Sequence, residues 1–423
     1  MMWEPRRFLS AWPGNMARSG SALGIALALS ILGTASAKSQ PAGEPSREVI
    51  AAGNRLGLEL YGRLSKTGPN AVLSPYSISA ALTMATAGAR GDTEKEMIAI
   101  FGSGLTAVNL ADAQRQLAAA LQRQSADGGT IANVANALHL ARLGYMVRPA
   151  FRALLADQYG AQIFEGSDLA AVNGWVKKNT NGRIDKILTQ LDPNSVCILV
   201  NAIYFQGTWA TRFDKRSTRA ADFHLGSGEV VQVPTMHEQG NFQALHTPNY
   251  DAIRLPYQKS GVGMILIMPA QSTRLEQLEA GLDAQTATAI AADLLKASPA
   301  KIDLSLPKYK AETGADLIPA LRLLGVKLAF DLERADFSGI TDSARKEDRI
   351  AISQIQHRAY IDVNEDGTEA AAATAIGFAA GATQAQPTVL SIDRPFLFLI
   401  ADEASGAILF IGRVADPRQA AAE

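Results

Sequence analysis

Glu365-Asp-Gly-Thr-Glu-Ala-Ala-Ala-Ala-Thr374 opens a run that continues to Gln386, and how that run is read decides the fold. Its 22 residues from Glu365 to Gln386 contain no Pro, Lys or Arg, and 15 of them are Gly, Ala or Thr. Two readings compete. Alanine is the best helix former, so an isolated run of this kind is ordinarily a surface helix or a flexible linker. Nothing in it, however, prevents the backbone from entering a sheet interior. The flanks favour the sheet. Upstream, Ile350, Ile352, Ile355, Tyr360, Ile361 and Val363 suit a strand with an irregularity, or with a helical turn before it. Downstream, Phe396-Leu-Phe-Leu-Ile400 and Ala407-Ile-Leu-Phe-Ile411 are joined through Asp402-Glu-Ala-Ser-Gly406, the pattern of a hairpin of buried strands.

In that setting Glu365–Thr374 resembles the reactive-loop hinge of the serpins, the serine protease inhibitor family, in its inhibitory form. Insertion of the loop into a central sheet is an established property of that family, so here it is what the resemblance implies and not a reading of spacing. These residues suit it for a physical reason. A loop that becomes a strand puts alternate side chains on opposite faces. With Thr368, Ala370, Ala372 and Thr374 on the packed side, no large cavity is needed and no charge is buried, while Glu369 points to the other face. The hinge is assigned to Glu365, Gly367, Thr368, Glu369, Ala370, Ala371, Ala372, Ala373 and Thr374.

Other blocks carry the same resemblance. In Asn70–Met97, Ser74 stands before Pro75, a good helix start, and the helix ends near Gly88. The resemblance implies that Ser74 and Ser77 lie beneath the central sheet where it opens, a role compatible with helix capping by Ser74. Val172–Ile184 matches another segment, in which Trp175 reads as packing. In Ser195–Trp209 a single amide, Asn201, interrupts the apolar run Val196–Phe205, and a buried Asn needs partners. The resemblance implies a structural latch between Asn201 and His357, with Trp209 at the top of the sheet where the loop first enters.

Periodicity places helices over Arg47–Lys66, Leu105–Gln124, Arg148–Tyr159 and Leu275–Ala297. It places strands over Thr130–Ala141, Val233–His237, Tyr250–Tyr257 and Gly263–Pro269. The resemblance runs from about Glu48 to Pro417 and implies an α+β serpin fold, with mixed β-sheets, about nine helices and an exposed reactive loop at about 365–388. One domain over 48–420 is expected.

With 423 residues, 47% hydrophobic and 19% charged, and a formal net charge of -1, the chain has the composition of a soluble globular protein with a substantial core, and nothing suggests a nucleic-acid surface. Residues 1–37 read as a secretory signal peptide: Arg6, Arg7 and Arg18 precede the apolar run Ala22–Leu32, and Ala35-Ser-Ala37 supplies a cleavage site. Translation from Met16 gives a more typical signal length. That apolar run is short of the roughly 20 residues a membrane span needs. Residues 38–47 are then a polar leader, and a secreted or periplasmic, monomeric protein with no membrane attachment after signal removal is expected. One cysteine, Cys197, excludes an intramolecular disulfide and reads as a small core residue.

Catalysis fares poorly. The chain contains no Gly-x-Ser-x-Gly pentapeptide, and Asn241 stands where a zinc helix opening at His237-Glu238 needs its second His. Five His and one Cys, spread along the chain, form no metal cluster, so no enzyme, metal or cofactor is expected. The resemblance implies a suicide inhibitor of a serine protease, and a papain-like cysteine protease remains open as a target. The scissile bond falls within Ala380, Gly381, Ala382, Thr383 and Gln384. No Lys or Arg occurs from Ala359 to Asp393, which disfavours trypsin-like enzymes and favours elastase- or subtilisin-like ones, with Phe378 a weaker chymotrypsin-like option. The helix over Leu105–Gln124 carries only Arg115 and Arg123, too few basic residues for a heparin site. The alternative function is a non-inhibitory serpin acting as carrier or chaperone, whose relatives tend to have bulky, charged or proline-containing hinges.

Overall fold

The computed structural model describes residues 44–126, 130–191, 195–341, 349–368 and 386–420. The expected signal peptide, the scissile-bond candidates and the hinge beyond Thr368 lie outside them. The helices are α1 (Arg47–Leu64), α2 (Pro75–Gly88), α3 (Gly91–Ala99), α4 (Ala107–Ala126), α5 (Pro149–Tyr159), α6 (Leu169–Asn179), α7 (Leu275–Ala280), α8 (Ala284–Lys296) and α9 (Ile318–Leu323). Up to the middle of the chain the strands are β1 (Ala71–Leu73), β2 (Ile131–Leu140), β3 (Gln162–Glu165), β4 (Cys197–Thr208), β5 (Arg219–His224), β6 (Val230–His246), β7 (Tyr250–Pro256) and β8 (Val262–Pro269). The rest are β9 (Ala300–Pro307), β10 (Tyr309–Asp316), β11 (Ile352–Asn364), β12 (Gly367–Thr368), β13 (Thr388–Ser391), β14 (Phe396–Asp402) and β15 (Ala407–Val414). Nine helices among the described residues, with mixed sheets, give the expected α+β architecture.

A six-stranded sheet runs β10-β11-β12-β4-β2-β3, and a nine-stranded one runs β1-β15-β14-β8-β7-β6-β9-β13 with β5 on β6. The smaller sheet positions the site. Along β4 every second residue faces α2 and the sheet behind it, where Ile203 and Phe205 pack with Trp209 and Tyr257. The intervening Ile198, Val200 and Ala202 pack under Val172 and Val176 of α6. β4 is thus apolar on both faces, which explains the nearly unbroken run Val196–Phe205. Burial pushes the Cys197 thiol up to about 12, which suits the core role.

α2 is buried on almost every side because Ser, Ala and Thr are small enough to sit between two layers. It starts as its sequence suggests: the Ser74 hydroxyl caps it by accepting from the Ser77 N–H at 3.0 Å, and Pro75 occupies the first turn. The structure adds detail to the periodicity reading. The helical patterns over Leu275–Ala297 are two helices, and Asp283 caps the second, α8, by accepting from the Thr286 N–H at 2.8 Å. β6 reaches well past Val233–His237 to His246, because its two halves pair with different strands, β5 and β9 first and β7 afterwards.

Candidate functional site

The site is the seam between β11 and β4. From Ile352 opposite Cys197 to Tyr360 opposite Tyr204 these strands pair directly and in parallel, with a register irregularity between Ile352 and Gln354. Above Tyr360 they part. The chain turns at Glu365-Asp366 and re-enters the gap as β12, antiparallel to both neighbours, with Gly367 opposite Asn364 and Thr208, and Thr368 opposite Val363 and Gly207. The first two residues beyond the turn are therefore already a short central strand.

Side chains hold that wedge from every direction. The Trp209 backbone N–H donates to the Asp366 carbonyl at 3.0 Å and its indole N–H to the Asn364 carbonyl at 3.0 Å. Its ring stacks on Tyr257 with centroids 4.6 Å apart and planes at 15°. Thr368 is fully buried, its Oγ1 2.6 Å from the Tyr257 hydroxyl, so it lies on the packed face. Gly367 has φ 151°, and a Cβ there would overlap the Gly207 carbonyl oxygen, so only glycine fits the close approach. At the turn, Glu365 is buried with Oε1 accepting from the Thr218 hydroxyl at 2.8 Å and Oε2 3.1 Å from the Lys308 Nζ. Burial pushes this carboxyl up, but its own backbone N–H, Thr218 and Lys308 together outweigh that and hold it below the usual carboxylate range. Asp366 pairs with Lys215 at 2.6 Å.

Lower in the seam a polar row crosses three strands at one level, where His357 is opposite Asn201 and Asn201 is opposite Asn136. All three side chains are buried. His357 Nδ1 lies 2.5 Å from Asn201 Oδ1, and the Ser74 N–H donates to His357 Nε2 at 3.4 Å. Since Nε2 accepts, Nδ1 carries the proton and donates to Asn201. The Asn201 amide donates in turn to Asn136 Oδ1 at 2.6 Å, the Ser77 Oγ at 2.6 Å and the Ser77 carbonyl at 3.0 Å. Burial lowers the His357 pKa to about 3, so the imidazole is neutral. The row ties β11, β4 and β2 to the start of α2, and separating β11 from β4 breaks its His357–Asn201 bond.

The structure thus brings Ser74, Ser77, Asn201 and His357 into one network and places Trp209, Glu365, Gly367 and Thr368 together at the top. Glu369, Ala370, Ala371, Ala372, Ala373 and Thr374 lie outside the described residues. Sequence reading missed Asn136, whose role depends on the register of three strands, and Tyr257, whose partner Thr368 is 111 residues away.

The family model described as "Serpin (serine protease inhibitor)" matches residues 51–417. The chain belongs to the serpin family. A serpin-like protein of Thermococcus kodakarensis is 34% identical over 385 residues, covering 88% of this chain and 86% of that one. The native-state structure of tengpin, a thermophilic serpin, superposes with TM-score 0.79 at 27% identity, covering 89% of this chain and 96% of that one. Human thyroxine-binding globulin superposes with TM-score 0.77 at 25% identity, covering 88% of this serpin and all of its own chain, 100%. Membership implies protease inhibition in general, and not catalysis.

Proposed function

We propose that this serpin is a suicide inhibitor of serine proteases, and that the seam between β11 and β4 is the path its cleaved loop takes. The observation that carries this reading is the two-residue wedge, Gly367-Thr368, paired antiparallel with both flanking strands above a stretch where those strands pair directly with each other. Extending the wedge replaces one parallel ladder with two antiparallel ones, which satisfies more backbone groups and buries more side chains.

Continuing its register gives a specific docking. Thr368 is opposite Val363 and Gly207, so six residues further Thr374 comes opposite His357 and Asn201. It lies on the face of Thr368, beside the row, where its hydroxyl takes up the donor and acceptor that part when β11 leaves β4. Ala370 and Ala372 fill the same face against Ile361 and Phe205, then Ala359 and Ile203, all buried. Ala371 and Ala373 then face α6.

In the inhibitory reaction the target's nucleophile attacks a bond among Ala380–Gln384, and the acyl-enzyme is carried as the hinge inserts. About 14 residues at roughly 3.3 Å each displace it by on the order of 45 Å. Small side chains around the cut favour an elastase- or subtilisin-like target. An exported, monomeric protein without a heparin switch completes the proposal: Arg115 on α4 is already paired with Asp112 at 3.4 Å. The second reading, a non-inhibitory carrier or chaperone, has a precedent in the neighbouring thyroxine-binding globulin.

Incubation with elastase-, subtilisin- and chymotrypsin-like proteases, followed by a denaturing gel, separates the two. A denaturation-resistant band near the summed mass supports trapping, and the mass of the released carboxy-terminal peptide identifies the cut. Loop cleavage without that band across all three moves the assignment to the carrier.

A further inference from the structure

The lower end of the seam is closed differently from the rest. Between Ile352, opposite Cys197, and Gln354, opposite Ile198, β11 carries one extra residue, Ser353, which interrupts the direct ladder to β4. The Ser353 hydroxyl bridges that break. It accepts from the Val196 N–H at 3.2 Å and donates to the Cys197 carbonyl at 3.0 Å, so one side chain holds two backbone groups at the start of β4. On its other side the same segment is anchored next to β10: the Ile355 N–H donates to Asp316 Oδ1 at 3.1 Å, and the Leu317 N–H donates to the Ile355 carbonyl at 2.9 Å. When β11 parts from β4, Ser353 therefore leaves with β11 and β10, and both of its bonds to β4 break.

The register of the wedge leads to the same point. Thr368 is opposite Val363 and Gly207, so ten residues further Phe378 comes opposite Ser353 and Cys197. The geometry assigns Ser353 a positioning role in trapping: its hydroxyl clasps the foot of the seam, and its release is the last step before the inserting strand reaches full depth. This assignment rests on the insertion path proposed above. Higher in the seam, each backbone bond that opens is replaced by the inserting strand's own ladder. At the foot the strand must also displace a side chain from the Val196 N–H and the Cys197 carbonyl. The clasp thus slows the end of insertion and leaves its beginning unaffected. A slower final step lengthens the time in which the acyl bond can hydrolyse, so Ser353 sets how much inhibitor is consumed for each protease trapped.

The test uses the full, uncleaved chain and two peptides of its own sequence, each carrying fluorescein at the amino terminus, with uptake into the seam followed by anisotropy. One covers residues 369–378 and reaches Ser353; the other covers 369–376 and ends opposite Ile355 and Leu199. Ser353→Ala should speed uptake of the longer peptide about tenfold, a barrier lowered by about 1.4 kcal/mol, and leave the shorter at the natural rate. Ser353→Thr, which keeps the hydroxyl, should behave as the natural chain. An unchanged rate for the longer peptide in Ser353→Ala, or an equal gain for both peptides, would overturn the clasp and leave the insertion path standing. Uptake of neither peptide by any of the three proteins would overturn the path and the clasp with it. If Ser353→Ala does not fold, Ser353→Cys, whose thiol is a weak donor and acceptor, decides in its place.

Discussion

Replacing Thr374 with valine tests the docking register at a single atom. The two side chains have nearly the same shape, so the change removes a hydroxyl and little else. In the native state His357 and Asn201 satisfy each other across the seam, and the substitution should leave native stability within about 0.5 kcal/mol. In the inserted state they are separated by the new strand, and the valine side chain offers neither group a partner. His357 is 1% exposed and Asn201 0%, so water cannot replace the lost bonds. Asn201 keeps its amide bonds to Ser77 and Asn136, so the loss falls on its Oδ1 and on the His357 Nδ1–H. At about 1–3 kcal/mol for each of the two buried groups left unpaired, the inserted form should lose roughly 2–6 kcal/mol. The assay is guanidinium unfolding of the loop-cleaved protein, for the natural chain and for Thr374→Val, beside the uncleaved forms. A midpoint lowered by about half a molar in the cleaved form alone is expected. An equal shift in both forms, or none in either, would refute the register that places Thr374 between His357 and Asn201.

Other outcomes follow from the same residues. The folded-state pKa of His357, about 3, lies below its ordinary 6.5, so its contribution is fully present above pH 6.5 and is lost as pH falls from there towards 3. Between pH 8 and pH 5 the native state should lose about 2 kcal/mol, and His357→Gln should remove that part of the pH slope in urea unfolding; equal slopes would show that another group titrates. Gly367→Ala sets a methyl against the Gly207 carbonyl and should drive the wedge out of the seam, changing Trp209 fluorescence and lowering the first unfolding midpoint. Glu365→Gln removes the charge facing Lys308, and since that carboxyl is held below its ordinary value, the natural chain's advantage over the variant should shrink as pH falls below the usual carboxylate range.

Much of this was open to reading from residues because it depends on local chemistry. Ser74-Pro75 before a run of small and apolar residues is a local helix-start signal, and Phe396–Ile400 with Ala407–Ile411 have the apolar runs of buried strands, which β14 and β15 are. α3 escaped because its cap residue, Arg90, makes no side-chain cap bond, and its first turn shows only Asp92 and Glu94 as a start signal. β10, Tyr309–Asp316, escaped because an edge strand of Lys, Glu, Thr, Gly and Asp has little apolar alternation. The polar row was half legible. A lone Asn in an apolar run signals that a partner is required, but Asn136 becomes that partner only through the pairing of β2 with β4. The wedge was legible in composition from the residues, and in position only through the resemblance: Gly, Thr and Ala permit insertion, while Trp209, Tyr257, Thr218 and Lys308 hold the strand that begins at Gly367.

Hydrogen exchange before and after cleavage among residues 380–384 tests the insertion most directly. If the hinge enters between β11 and β4, peptides covering residues 369–380 should gain strong protection on cleavage, comparable to β4 itself, with no loss of protection in β11. Free exchange of residues 369–380 after the cut, with the ladder from Ile352 to Tyr360 unchanged, would contradict it.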